Sequence, residues 1–233
     1  MRLGAGLCAA ALAGLASAAM AVGVTEARYL EPTDRYGHAI LGDAIEWGAL
    51  EMQTADGPVL IRLPETHVFE DTAPRLADLD GDGDFEVIVV ETAIAEGARL
   101  SVYDETGLVA ATPHIGRTHR WLAPVGAVDL DGDGAVEIAY VDRPHLAKTL
   151  RIWRFDGGAL TEVAAASGVT NHRIGETDIA GGIRDCEVGP EMIVATADWT
   201  RLLALTFDGE TVTAHDLGPH RGRESFAEAM ACR

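Results

Sequence analysis

Two nine-residue acidic loops, 51 residues apart, constrain this chain more than any other feature. Asp78-Leu79-Asp80-Gly81-Asp82-Gly83-Asp84-Phe85-Glu86 runs into Val87-Ile88-Val89-Val90, and Asp129-Leu130-Asp131-Gly132-Asp133-Gly134-Ala135-Val136-Glu137 runs into Ile138-Ala139-Tyr140-Val141. Carboxylates at positions 1, 3 and 5 of a tight loop converge on one side, glycine at position 6 permits the sharp turn, and the carbonyl at position 7 adds another oxygen. Such hard donors suit calcium, and clustered acids with no base beside them in the sequence repel one another unless a cation is bound. An EF-hand opens the same way but needs a bidentate acid at position 12 and flanking helices. Position 12 is Val89 in one loop and Tyr140 in the other, the acid stands at position 9, and the following β-branched runs predict strands.

The loops resemble instead the calcium loops of VCBS and FG-GAP type repeats, in which Asp-x-Asp-Gly-Asp-Gly is followed by two residues, an acid and a strand. That resemblance covers residues 74–91 and 125–142 and implies a β-propeller, the architecture of the head of integrin α chains. Carried over by position, it implies two calcium sites. The ligands would be Asp78, Asp80, Asp82, the backbone of Asp84, and Glu86, then Asp129, Asp131, Asp133, the backbone of Ala135, and Glu137. Each ion would pin a turn between strands of one blade.

Two weaker copies flank these loops. Glu191 to Ala195 matches Glu137 to Val141, with Cys186 where the metal loop should be, and Ala39 to Met52 gives a first copy without ligands. Turns at Asp56-Gly57, Thr106-Gly107, Asp156-Gly157-Gly158 and Asp208-Gly209 separate strand-like pieces; Val59–Leu63, Leu100–Tyr103, Leu150–Trp153 and Leu202–Leu205 take matching places. With 233 − 21 = 212 residues beyond an N-terminal leader and repeats of about 50, the expectation is an all-β fold, a small β-propeller of four four-stranded blades. Five blades or a partly open ring are the alternatives. The repeats fall near 37–66, 67–113, 119–166 and 172–217, with Val24 to Leu30 helping to complete a blade and 218–233 left as a tail.

Residues 1–21 read as a signal peptide: Arg2, an apolar Leu/Ala/Gly run that includes Cys8, and small residues ending Ala19-Met20-Ala21. The remaining 22–233 would be one periplasmic or secreted domain with no membrane insertion. In an exported chain the pair Cys186 and Cys232 reads as a disulfide, stapling the fourth repeat in place of the lost ion; two separate thiols or an intermolecular link are the alternatives. Acidic residues outnumber basic ones 37 to 18, for a formal charge of −19, which argues against nucleic acid as a partner.

Histidines recur ahead of each expected innermost strand: His38, His67, His119 and His172, followed respectively by Asp43, by Asp71, by Trp121 and by Glu176. With Arg75, Arg120, Arg173 and Arg184 they would form a polar pocket on the propeller axis for a small anionic or sugar-like ligand. Repetition of a structural hydrogen bond is the simpler account of the same histidines. No nucleophile elbow, zinc-helix motif, phosphate loop or dinucleotide fingerprint is present. The functional expectation is a monomeric, calcium-stabilised binding or scaffold module for a protein or carbohydrate ligand. The alternative is an extracytoplasmic hydrolase or lyase using the axial pocket.

Overall fold

Strong β-formers bounded by turn residues give antiparallel hairpins along the whole described chain. The computed structural model describes residues 23–186 and 188–233; the expected leader at 1–21, with Cys8, lies outside the described residues. The first module contains β1 (Glu26–Thr33), β2 (Glu46–Thr54) and β3 (Gly57–Arg62). The second contains β4 (His67–Phe69), β5 (Arg75–Ala77), β6 (Glu86–Ala93), β7 (Gly97–Asp104) and β8 (Gly107–Ala111). The third contains β9 (Leu122–Val128), β10 (Glu137–Asp142), β11 (Thr149–Asp156) and β12 (Ala159–Ser167). The fourth contains β13 (Val169–Thr170), β14 (Gly182–Asp185), β15 (Pro190–Thr196), β16 (Arg201–Phe207) and β17 (Val212–Pro219), followed by helix α1 (Arg223–Met230).

The fold is therefore all-β apart from one short helix, built from antiparallel sheets. In the second and fourth modules the innermost strand is broken: β4 and β5 both pair with β6, and β13 and β14 both pair with β15. The first module has three strands, with β2 in the middle, and joins the second through a single Trp47–Phe69 pair. Its strand β3 pairs with β2 as β7 pairs with β6, but it is an edge, because among the described residues no strand corresponding to β8 follows it.

Registers reveal the repeat more sharply than the sequence does. β7 shifts register between Val102 and Tyr103, and β11 between Ile152 and Trp153. Val102 faces Ile88 and Ile152 faces Ala139, each two residues after the glutamate that ends its acidic loop.

Period-two alternation then explains how the sheets stack. On β6, Val87 and Val89 pack with Tyr29, Leu50 and Met52 of the first module, while Ile88 and Val90 pack with Trp121, Ile138 and Tyr140 of the third. On β10, Ala139 and Val141 turn the other way, towards Met192, Val194 and Leu205 of the fourth. On β15, Ile193 and Ala195 meet Phe226 and Ala229 of α1. The last sheet is thus covered by the helix. Between the fourth module and the first, partly buried Ile179 packs against the cluster that holds Ile40, and Gly175 N–H donates to Ile40 O at 3.0 Å.

Candidate functional site

The two acidic loops adopt one conformation. In the first, Leu79 N–H donates to Glu86 Oε2 (2.8 Å), Gly81 and Gly83 N–H to the two oxygens of Asp78 (2.8 and 3.2 Å), and Asp84 N–H to Asp82 Oδ1 (2.9 Å). In the second the same bonds run from Leu130 to Glu137, from Gly132 and Gly134 to Asp129, and from Ala135 to Asp133. Gly81 and Gly132 sit at φ of 78° and 81°, the left-handed region that a side chain would strain. Carboxylate oxygens of Asp78, Asp80 and Glu86 lie within 4.8 Å of one another, as do those of Asp129, Asp131 and Glu137. Burial and neighbouring acids push the Glu86 carboxyl above its ordinary range. This is the donor set a calcium ion takes, and the first loop fits one.

The second loop differs in one respect that the sequence reading missed. Arg154 of β11 stands opposite Glu137 in register, and its guanidinium bonds Glu137 Oε1 (2.6 Å), Asp131 Oδ2 (2.7 Å) and Asp133 Oδ2 (2.9 Å). The expectation of acids without a nearby base therefore fails for this loop. Asp82 and Asp133 lie outside the tightest clusters. In the fourth module Arg184 takes the matching role, its Nε and Nη2 both 2.8 Å from Glu191 Oε2. Cys186 and Cys232 are disulfide-bonded there, tying the loop after β14 to the chain end.

The expected axial residues separate into several places. A cavity of about 340 Å3 gathers His38, His119, Arg120 and Trp121 with Arg143, His145, Ile40, Leu146 and Ile174. It is assembled from the β1–β2 loop, the segment before β9, the β10–β11 loop and the β13–β14 excursion. Gly97 fixes one wall: at φ 81° it lies so close to the 117–120 segment that an added Cβ would stand 2.3 Å from Arg117 O.

Inside, His38 stacks on His119 with ring centroids 4.9 Å apart, and His119 N–H donates to Tyr36 Oη at 2.7 Å. His38 Nδ1 meets Glu70 Oε1 at 2.5 Å; Glu70 is fully buried, also accepts from Thr92 Oγ1 (2.7 Å), and burial raises its pKa. Trp121 Nε1–H donates to Glu70 O (2.8 Å), and its ring lies 4.9 Å from buried His172. His172 Nε2 must be the donor to Glu176 O (2.9 Å), which leaves Nδ1 to accept from His145 Nε2 at 3.3 Å. Burial and His172 hold the His145 pKa down at about 4. Arg143 forks onto Asp142 (2.7 and 2.8 Å), whereas Arg120 makes no ion pair among the described residues and donates only to His119 O at 3.1 Å. Three non-glycine residues at positive φ, Ala39, His119 and Arg143, adjoin this one cavity.

The other candidates lie elsewhere. His67 is on β4, near His114 (5.9 Å) and Glu91 (4.0 Å), with its pKa lowered by burial. Asp71 holds Arg75 (2.7 Å), which lines a separate cavity of about 220 Å3 beside Pro124 and Gly126. Asp43 accepts from Ile45 N–H, Arg173 covers the Trp199 ring at 4.3 Å, and Glu176 pairs with Arg223. The histidines are not equivalent in register: His67 lies two residues before Phe69, His119 three before Leu122 and His172 three after Val169, and those three residues face Glu91, Asp142 and Thr196. Spacing alone had aligned them.

The geometry of the acidic loops agrees with what comparison finds. Residues 78–140 match the model of the FG-GAP-like repeat. This segment is similar to an FG-GAP-like repeat. It runs from the first acidic loop into β10 and so takes in β6 to β8 of the second module, then β9, the second acidic loop and the start of β10 in the third. Comparison with curated proteins found no matching relative. Among the described residues no helix is long and apolar enough to cross a membrane.

Proposed function

We propose that this chain is an exported, monomeric, calcium-stabilised binding module, an open arc of four propeller-like blades capped by α1, whose ligand site is the histidine-lined cavity. The observation that carries the reading is that cavity itself: loops of the first, third and fourth modules converge on it, and three strained backbone positions adjoin it. The FG-GAP-like repeat supports the binding module, and the disulfide supports an oxidising compartment. The ligand class is an acidic sugar or a similar small carboxylate. Arg120 offers an unpaired guanidinium in a chain of net charge −19, and Ile40, Leu146 and Ile174 offer an apolar wall. Titration calorimetry with glucuronate, galacturonate and glucose tests it. Binding of a uronate but not of glucose, lost in Arg120→Ala, is the expected result. No binding of any of them removes the cavity from the reading and leaves a protein-binding surface.

One observation favours the enzymatic alternative, a hydrolase or lyase. The buried Glu70 carboxylate fixes the His38 imidazole at the cavity wall, as a carboxylate orients a general base. Turnover of an acidic polysaccharide that disappears in His38→Asn would put this alternative first.

A further inference from the structure

The two acidic loops share their sequence frame and backbone bonding, yet the strand across from each carries the opposite charge. Glu137 faces Arg154, whose guanidinium takes one oxygen from each of Glu137, Asp131 and Asp133. In the second module Val87 faces Tyr103, so the next residue, Asp104, stands beside Glu86. Asp104 turns into its own hairpin, where Oδ1 accepts from Thr106 and Gly107 N–H (2.7 and 3.1 Å). Among the described residues no arginine, lysine or histidine pairs with Asp78, Asp80, Asp82, Asp84 or Glu86. The first loop also has an acid at position 7, Asp84, where the second has Ala135.

A calcium ion sits 2.3–2.6 Å from its oxygens. In the second loop three of those oxygens are already within 2.6–2.9 Å of a guanidinium. An ion sharing them would meet a fixed positive charge a few ångströms away and find its acceptor lone pairs engaged. The first loop has the reverse problem, five carboxylates and no counter-charge.

We propose that the protein binds one calcium ion, in the 78–86 loop, and that Arg154 is the built-in cation of the 129–137 loop, which closes that loop to the metal. The proposal rests on the calcium reading of the FG-GAP-like repeat and departs from the two sites that the resemblance implies. The test is calcium stoichiometry of the purified protein by titration calorimetry, with bound metal counted by elemental analysis. Wild type should bind one ion, Asp80→Ala none and Asp131→Ala one. Arg154→Gln should bind two, the second at least 100-fold tighter than any second site in wild type. Asp104→Arg should abolish the first site, an independent arm should Arg154→Gln fail to fold. Two ions in wild type, a single ion lost in Asp131→Ala, or one ion in a folded Arg154→Gln would each overturn the proposal while leaving the calcium reading intact. No calcium in any variant would overturn that reading and the proposal with it.

Discussion

Breaking the Cys186–Cys232 bond should lower stability substantially and should do so through the fourth module. The cysteines are 46 residues apart, and the chain-entropy relation for a loop of that size gives about 4 kcal/mol at 25 °C. For a domain of this length each kcal/mol corresponds to about 2–4 °C, so Cys186→Ser/Cys232→Ser should melt about 8–16 °C below wild type. Noncovalent contacts limit how far the helix is released. Phe226 and Ala229 remain buried against Ala180, Ile193 and Leu202, which for a phenylalanine side chain is worth about 2–3 kcal/mol, and Arg223 still pairs with Glu176 and Asp178. Helix α1 should therefore stay docked but open more often, with faster amide exchange across 223–230 in the double variant. The assay is a reversible thermal melt beside exchange mass spectrometry, with and without a chelator. The chelator-induced shift should be the same size in both proteins, because the disulfide and the 78–86 loop belong to different modules. A double variant within 2 °C of wild type, with α1 equally protected, would refute the argument that this bond replaces an ion as the fastener of the fourth module.

Three further outcomes follow from single residues. Gly97→Ala should destabilise by about 2 kcal/mol or more and weaken ligand binding, since its Cβ would collide with Arg117 O and crowd the backbone oxygen of Arg120 on the cavity wall; calorimetry and denaturation together check it. Glu46 is buried beside Glu70, and its pKa is raised to about 9. The neutral acid is the form the fold prefers, so stability is full below the usual carboxylate pKa and lost as pH rises towards 9; Glu46→Gln should stabilise by on the order of 2 kcal/mol at pH 8 and change little at pH 4, and equal pH profiles for the two proteins would contradict it. His145 has the opposite sign: with its pKa lowered to about 4, the neutral ring is preferred, and stability present above pH 6.5 is lost as pH falls towards 4. His145→Asn should flatten that acid limb of a melting-temperature profile.

The parts of the structure legible in the sequence were those whose partners are close in sequence. Each acidic loop closes within nine residues, so its donors could be listed without knowing the fold. Strands such as Val87–Val90 announced themselves by β-branched content between turn residues. The disulfide was legible because an exported chain would retain only two cysteines. Arg154 was not, because it reaches its loop across a hairpin: it follows Glu137 by 17 residues, and only the β10–β11 register makes them neighbours. Writing out the registers of both hairpins would have set Arg154 against Asp104 and exposed the difference. The histidine series misled for the same reason. It was aligned by spacing, while β4–β5 and β13–β14 are broken strands that shift His67 and His172 to different levels. Helix α1 was left as a tail because only Phe226 and Ala229 of its eight residues are buried, too sparse a pattern to mark an amphipathic face.

Strands β6, β10 and β15 carry a glutamate at their first or second residue, Glu86, Glu137 and Glu191, each calling for a positive charge beside it. Arg154 answers it at Glu137 and Arg184 at Glu191, where the disulfide reinforces the contact, and the proposed ion would answer it at Glu86. Strand β10 places this device relative to the cavity: it begins at Glu137 in the acidic loop and ends at Asp142, which holds Arg143 on the cavity wall. Five residue steps of extended chain span about 17 Å, beyond any direct contact between a cation in the loops and a ligand in the cavity. The loops therefore act on binding only by fixing where each strand starts, while the opposite strand ends and their loops supply the chemistry. On the proposed reading, that separation would make calcium a structural element of the module and leave recognition to His38, His119 and Arg120.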